Sequence, residues 1–527
     1  MTSLLSDKEV AKAVSRIPLR SEKERDLQRL VRSFQDPGIL IQLDNRNNQI
    51  VYGRRGTGKT HLLKVLLTTF RQNHSDALYV DLRAIGSSTQ GHAGRGPKQD
   101  ASILFKDIVA EIHSCLLERA HSQETTPEAW DALHRLQELL TEVSRVRIDE
   151  NVTTRHLKKS EETQGGNLSL TVSAAPNINA ATKGSTGVVS ESEETRSYRE
   201  AENHHLIFSE VRFLLDSILE GTGADHFYLL LDEWTAIDAE AQPYLADCIK
   251  RTMLPSTRLT VKIAALEYRS RFSITREGNA ITGFELGPEV SAHLDLDDYY
   301  VFDKNEHGVV CTFGSVLYRH LYTSLPEGYL DTGYQIDGAD KFVSVLFSQE
   351  ETFKELVRAA EGVARDLINI FMKAFFRARR QQSQTIDLDS ILESAREWYE
   401  QDKFPQLSSS QQTVLEKIVN LVIGDKKARS FMVRRAEAAH PTIRSLVDFR
   451  VLHLIRQGYA DKVNPGVRYN IYTLDYGTYV DLRRTKHYPQ LEFEFMTARR
   501  FKQDDDYVVP FDDHRRIRRI ILRAADL

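Results

Sequence analysis

Residues 49–73 run from an apolar strand, QIVYG, into an amphipathic helix, THLLKVLLTTFRQN, through the turn Gly53-Arg54-Arg55-Gly56-Thr57-Gly58-Lys59-Thr60. No other feature constrains the chain as strongly. A strand that feeds directly into a helix builds a parallel sheet covered by helices. The spacing G-x-x-x-x-G-K-[ST] lets backbone N–H groups curl around phosphate oxygens at a helix N-terminus, where the dipole adds partial positive charge. In that pattern Lys59 reaches β/γ-phosphates and the Thr60 hydroxyl serves Mg²⁺, with Gly53 to His61 as the cradle.

The following segments alternate in the same way. ALYVDL (77–82), HFYLLLDEW (226–234) and LTVKIAALEY (259–268) read as strands, and 102–120, 206–220 and 241–253 as helices. The expected fold is α/β, a P-loop parallel sheet with a helical lid and a C-terminal winged helix. Asp232 and Glu233 end the most apolar strand, at the edge where such sheets place ligands. Asp232 is expected to hold Mg²⁺ through water, and Glu233 to orient and deprotonate an attacking water. Glu267, at the end of the last of these strands, is either a sensor of the γ-phosphate or an ion-pair partner of Arg269. Arg251, Arg258, Arg269 and Arg271 cluster nearby, as surface ion pairs or as a finger reaching a neighbouring subunit's nucleotide. Arg365, in GVARDL at a helix start, opposes the dipole unless Asp366 or a γ-phosphate compensates.

A length of 527 residues implies three or four domains. We expect a helical leader over 1–48, the ATPase core over 49–300 with a flexible insertion at 157–200, a lid over 301–405, a winged helix over 406–487 and a basic tail over 488–527. In the fourth region the sequence reads as three helices, QQTVLEKIVNLVI, ARSFMVRRAEAA and TIRSLVDFRVLHLIRQ, followed by a two-stranded ribbon. Its Lys426, Lys427, Arg429, Arg434, Arg435, Arg444, Arg450 and Arg456 suit double-stranded DNA, while Asp448, Asp461, Asp475 and Asp481 leave protein contacts open. The tail's HRRIRRIILR reads as a docked amphipathic helix or a nucleic-acid arm.

Lys plus Arg number 70 against 75 Asp plus Glu, a net −5 that excludes a wholly basic nucleic-acid coat. Cys115, Cys248 and Cys311 are far apart, which fits neither a disulfide framework nor a thiolate zinc site. His204 and His205 are adjacent, cannot share a helix face and do not suggest a metal. MTSLLSDKEVAK lacks a signal-peptide core, and no apolar run reaches membrane length, so a cytoplasmic protein without membrane contact is expected.

GRRGTGKT, LLLDE, the strand with terminal arginines, GVARDL, the helical region and the winged helix together resemble an AAA+ ATPase. More narrowly, they resemble the origin-recognition/replication-initiator (ORC/CDC6-like) clade and its bacterial accessory or defence-type members. The resemblance spans roughly residues 20–480. It implies Arg365 as a second sensor, ATP and Mg²⁺ as cofactors, and ATP-dependent assembly with an arginine supplied in trans. Glu267 departs from the Asn, Thr or Ser usual at the first sensor, the 157–200 insertion has no assignable family counterpart, and 283–307, between sheet and lid, looks peculiar to this subgroup. The expected activity is an ATP-hydrolysing switch that moves the winged helix on DNA or a partner. The rival is a STAND-type scaffold that holds nucleotide tightly and oligomerises when triggered.

Overall fold

A computed structural model describes residues 3–24, 26–86, 96–141, 208–276, 278–300, 305–426, 428–460, 466–480 and 520–523, with the backbone of strands Thr153–Lys158 and Ser190–Thr195. The chain divides into two compact units, one spanning 141–206 and the other the remainder. In the smaller unit the two strands pair antiparallel, Thr153 opposite Thr195 and Lys158 opposite Ser190. The rest of the insertion expected at 157–200, including NLSLTVSA, lies outside the described residues.

The larger unit is built on a five-stranded parallel sheet, in spatial order Asp76–Asp81, Phe227–Asp232, Leu259–Ala264, Gln49–Tyr52 and Ser291–Asp295. All six residues of the Phe227 strand are buried. A strand flanked on both edges and covered on both faces needs the unbroken apolar run Phe227–Leu231 that precedes Asp232. The Lys59–Gln72 helix packs on the sheet through Phe70, which stacks on Tyr228 with ring centroids 3.7 Å apart. The fifth strand, Ser291–Asp295, lies within the segment that the sequence left unassigned.

Helices Glu306–Tyr322, Tyr329–Tyr334, Ala339–Leu346, Glu350–Ala359, Ala364–Arg380 and Leu388–Trp398 follow. Beyond them come helix Ser409–Val419, strand Ser430–Arg434, helix Pro441–Asp448 and strands Leu452–Ala460 and Arg468–Leu474. These strands form an antiparallel sheet, to which Ile521–Leu522 adds parallel to the Ser430 strand. The visible end of the tail is therefore a docked strand and not a helix.

Two expected helices are corrected here. ARSFMVRRAEAA contains the Ser430 strand, because Phe431, Met432 and Val433 are all buried between two strand neighbours. TIRSLVDFRVLHLIRQ is a helix only to Asp448. Arg450 then takes a left-handed φ of 61°, a conformation unfavourable for a side chain of its kind. Ion pairs from Arg450 to Asp366 and Asp402 hold it there, and the chain leaves as a strand.

Candidate nucleotide site

The glycine turn is shaped by backbone that other residues resist. Gly56 and Gly58 have φ of 89° and 103°, and Gly58 precedes the first turn of the Lys59 helix in a left-handed conformation. A Cβ on Gly56 would lie 2.9 Å from the Cβ of Arg365, so the turn and the Ala364 helix touch only because no side chain is there. The Thr57 hydroxyl donates to the Arg54 carbonyl at 2.9 Å. The Lys59 ammonium donates to the Gly53 and Arg54 carbonyls at 2.6 and 2.9 Å. Burial lowers its pKa, opposed by Asp232, Asp297, Glu233 and Asp295.

Arg55 to His61 line a cavity of about 350 Å³ together with Glu233 and Arg365. Asp232 lies behind it, 1% exposed. The Tyr79 hydroxyl and the Glu233 N–H donate to Asp232, each at 2.8 Å. Glu233 leaves the strand with φ 57°, a non-glycine left-handed conformation that costs about 1–3 kcal/mol and aims its carboxylate at the cavity. Arg83 stands 3.7 Å from that carboxylate and is itself clamped on Asp81 at 2.7 and 3.0 Å.

Arg365 begins the Ala364–Arg380 helix and donates its backbone N–H to the Gly56 carbonyl at 3.0 Å. Its Nε is buried with no hydrogen-bond partner among the described residues. Burial lowers the guanidinium's pKa, and Arg450 adds to the effect. A buried donor of this kind is satisfied by an incoming anion.

The far wall of the cavity comes from residues the sequence did not single out: Arg20, Glu22, Phe34, Tyr300 and His320. His61 donates its Nε2 proton to the Leu30 carbonyl at 2.7 Å, so its ring contributes surface more than polarity. Burial pushes His320 down to about 3, with His61 adding to the effect, and it is neutral at physiological pH. These residues lie far from the glycine turn in sequence, and no spacing rule links them to it.

Several candidates lie elsewhere. The sheet strand ends at Ala264, and Ala264 to Leu266 line the cavity. Glu267 has passed over the edge into a second cleft of about 380 Å³, where it accepts from Gln457 at 2.7 Å. Burial raises its pKa. Arg269 does not pair with it but with Asp448. Arg251 pairs with Asp247 at 2.7 Å along its own helix, and Arg258 donates to the Ala224 carbonyl at 3.3 Å. The Arg271 backbone N–H donates to Gln242 at 2.7 Å. Gly53 and Arg54 line the second cleft and not the first, so Arg54 turns its side chain away from the cradle. Of the basic residues expected to face DNA, Arg450 is buried in ion pairs and Arg429 pairs with Glu361 at 3.3 Å. Lys426, Arg434, Arg435 and Arg456 are exposed, whereas Arg444 is half-buried. Lys427 lies outside the described residues.

The residues present fit a nucleotide triphosphate, given the Arg365 donor and the glycine cradle. No group of three or more His, Cys, Asp or Glu among the described residues forms a metal cage. A Mg²⁺ ion here would be shared between Thr60, Asp232 and phosphate oxygens, the usual arrangement for that ion. No helix among the described residues is long and apolar enough to cross a membrane.

Residues 18–86 match the protein family described as ORC-CDC6-like. Distant likenesses are found among solved structures. Aeropyrum pernix ORC2, in ADPNP–ADP complexes, is 11% identical, with 91% of this chain and 97% of that one covered and a TM-score of 0.32. Pyrobaculum aerophilum Cdc6p is 13% identical, with 90% and 97% covered and a TM-score of 0.31. Aeropyrum pernix ORC1 in complex with DNA is 13% identical, with 88% and 93% covered and a TM-score of 0.31. No curated protein sequence matches the chain.

Proposed function

We propose that this chain is an ORC/CDC6-like AAA+ protein, as the match over residues 18–86 supports, and that it binds and hydrolyses Mg-ATP as an oligomeric switch whose nucleotide state positions the 406–487 region on duplex DNA or a partner protein. One juxtaposition carries the reading. The glycine cradle, Glu233 and Arg365 line a single cavity, and the buried Nε of Arg365 lacks a partner that a phosphate oxygen would provide.

In this reading Lys59 and Arg365 neutralise charge on the γ-phosphate from the core and lid sides. Glu233 accepts a proton from the attacking water. Mg²⁺, held by Thr60 and Asp232, supplies further neutralisation of the phosphates when bound. Residues 406–487 act as a winged helix, in the order helix, strand, turn, helix and two-stranded ribbon. The exposed Arg434, Arg435 and Arg456 are its phosphate contacts. The trans arginine is drawn from exposed residues such as Arg251, or from Arg269 once it leaves Asp448.

Lys59→Ala is expected to abolish ATP binding, and Glu233→Gln to keep binding while stopping turnover. Wild-type turnover by Glu233→Gln would refute the mechanism. A STAND-type scaffold is the second reading, favoured by the buried ion pairs that tie the C-terminal sheet to the helical region. Steady-state ATPase with and without duplex DNA separates the two. Stimulation by DNA supports the switch, and tight, inert nucleotide supports the scaffold.

A further inference from the structure

Arg54, turned away from the cavity, is nevertheless the most connected residue of the glycine turn. Its carbonyl accepts from Lys59 and Thr57, each at 2.9 Å. Its N–H donates to Asp297 at 2.9 Å, and its Nε lies 3.1 Å from the same carboxylate. One terminal nitrogen donates to the Glu361 carbonyl at 2.9 Å, just before the helix that carries Arg365. The other meets Nδ1 of His453, on the Leu452–Ala460 strand.

His453 is 1% exposed and does not line the phosphate cavity. Its Nε2 lies 2.8 Å from Asp475. Because Asp475 must accept, Nε2 carries the proton and Nδ1 offers a lone pair to Arg54. Beyond Asp475 the chain of charges continues through Lys403 to Asp366, the neighbour of Arg365, and through Arg450 to Asp402. One buried line of alternating donors and acceptors thus joins the carbonyl that holds Lys59 to the residue beside Arg365, and it passes through the C-terminal sheet.

We propose that His453 and Asp475 are positioning residues for the glycine turn. By fixing Arg54 they make nucleotide affinity and the seating of the C-terminal sheet a single coupled equilibrium. The inference rests on the nucleotide reading above and supplies its regulation. A ligand that draws the sheet away loosens Arg54 and weakens nucleotide binding, and nucleotide tightens the seating by the same factor, because such coupling is reciprocal.

The test is a double-mutant cycle on the affinity for a fluorescent ATP analogue. His453→Leu keeps the volume and removes both hydrogen bonds. It is expected to weaken binding about tenfold, within the usual span of coupling factors. In an Arg54→Ala background the same change is expected to have no further effect. His453→Gln, whose amide can accept from Arg54 and donate to Asp475, is expected to stay within about threefold of wild type. An equal loss in both backgrounds, or no loss in either, overturns the proposal. Should His453→Leu fail to fold, hydrogen exchange on the wild-type chain decides. Adding ATPγS is expected to slow exchange in 451–455 and 473–476, and unchanged rates there overturn the inference. A wild-type chain that binds no ATP refutes the nucleotide reading itself, whereas normal binding with uncoupled variants refutes only this proposal.

Discussion

Replacing Lys403 by methionine tests the buried charge chain at its middle. The Lys403 side chain is 1% exposed, and its ammonium lies 2.9 Å from Asp366 and also touches Asp475. Methionine keeps most of the stem's packing but removes the ammonium that bridges the two buried carboxylates. Asp366 still faces Arg450, so its charge remains compensated. Asp475 is left with neutral His453, with the Gly477 N–H at 3.0 Å and with the more distant charge of Arg450. Breaking a buried pair from one side costs about 3–5 kcal/mol, because the remaining charge stays desolvated and unpaired. One partial escape is for His453 to take up a proton, but its Nδ1–H would then face the Arg54 guanidinium. We therefore expect a loss of about 3 kcal/mol at pH 7, read by urea unfolding with circular dichroism. Adding Asp475→Asn, which keeps an acceptor for His453 and removes the stranded charge, should recover about half of it. A loss below about 1 kcal/mol for Lys403→Met would refute the argument that these charges depend on one another.

Two further outcomes follow from geometry and titration. Gly56→Ala forces a Cβ to 2.9 Å from the Arg365 Cβ at φ 89°, and Gly362→Ala forces one to 2.6 Å from the Tyr300 carbonyl at φ 79°. The first should lower ATP affinity at least tenfold in a binding titration, and the second should destabilise the fold by about 2 kcal/mol in a melting experiment. His226, His320 and His453 are pushed down to about 4, 3 and 4, burial being the main cause in each. Their folded values lie below the unfolded one, so the stability they contribute is complete above about pH 6.5 and is lost as pH falls toward 4. Between pH 7 and 5.5 each should remove about 1 kcal/mol. For His453 the neighbouring charges are Arg54, Asp475 and Lys403. Stability that is flat or rising on acidification over this range would contradict the burial of the three rings.

The place of the glycine turn and of Asp232–Glu233 in the fold could be read from sequence because each is a contiguous stretch at the end of a strand. Gly53 to Thr60 must sit between a strand and a helix, and Asp232–Glu233 must end a buried strand. Glu267, read as a sensor or as a partner of Arg269, lies apart from the cavity for a different reason. VKIAALEY is apolar through Leu266 except at Lys262, but the strand stops at Ala264, and two residues of overrun carry Glu267 from the cavity to the neighbouring cleft. Arg54 looked like part of the cradle because of its place in the motif, yet Asp297, Glu361 and His453 claim its side chain. Those partners are at least 243 residues away, beyond any local pattern. The same holds for Arg450, whose left-handed backbone depends on Asp366 and Asp402, so the helix seemed to continue where it stops.

What distinguishes the first cavity from an ordinary interdomain crevice is its charge. Its lining contains Arg20, Arg55, Lys59, Arg83 and Arg365 against the carboxylates of Glu22 and Glu233. Arg83 is already clamped on Asp81 and Lys59 feels Asp232, Asp297, Glu233 and Asp295, but the Arg365 Nε stays without a partner, and burial lowers the pKa of both Lys59 and Arg365. Desolvated cations of like sign are stabilised when an anion enters, and the gain grows with the anion's charge. A polyanion with charge concentrated at one end meets that demand. In the proposed reading the cradle takes the phosphates, while the wall of Phe34, His61, Tyr300 and His320 offers flat, largely uncharged surface to the remainder. A single phosphate would leave that wall without a partner, and a bare aromatic ligand would leave the arginines without one. The two halves of the cavity together fit the phosphorylated planar ligand of the proposed function.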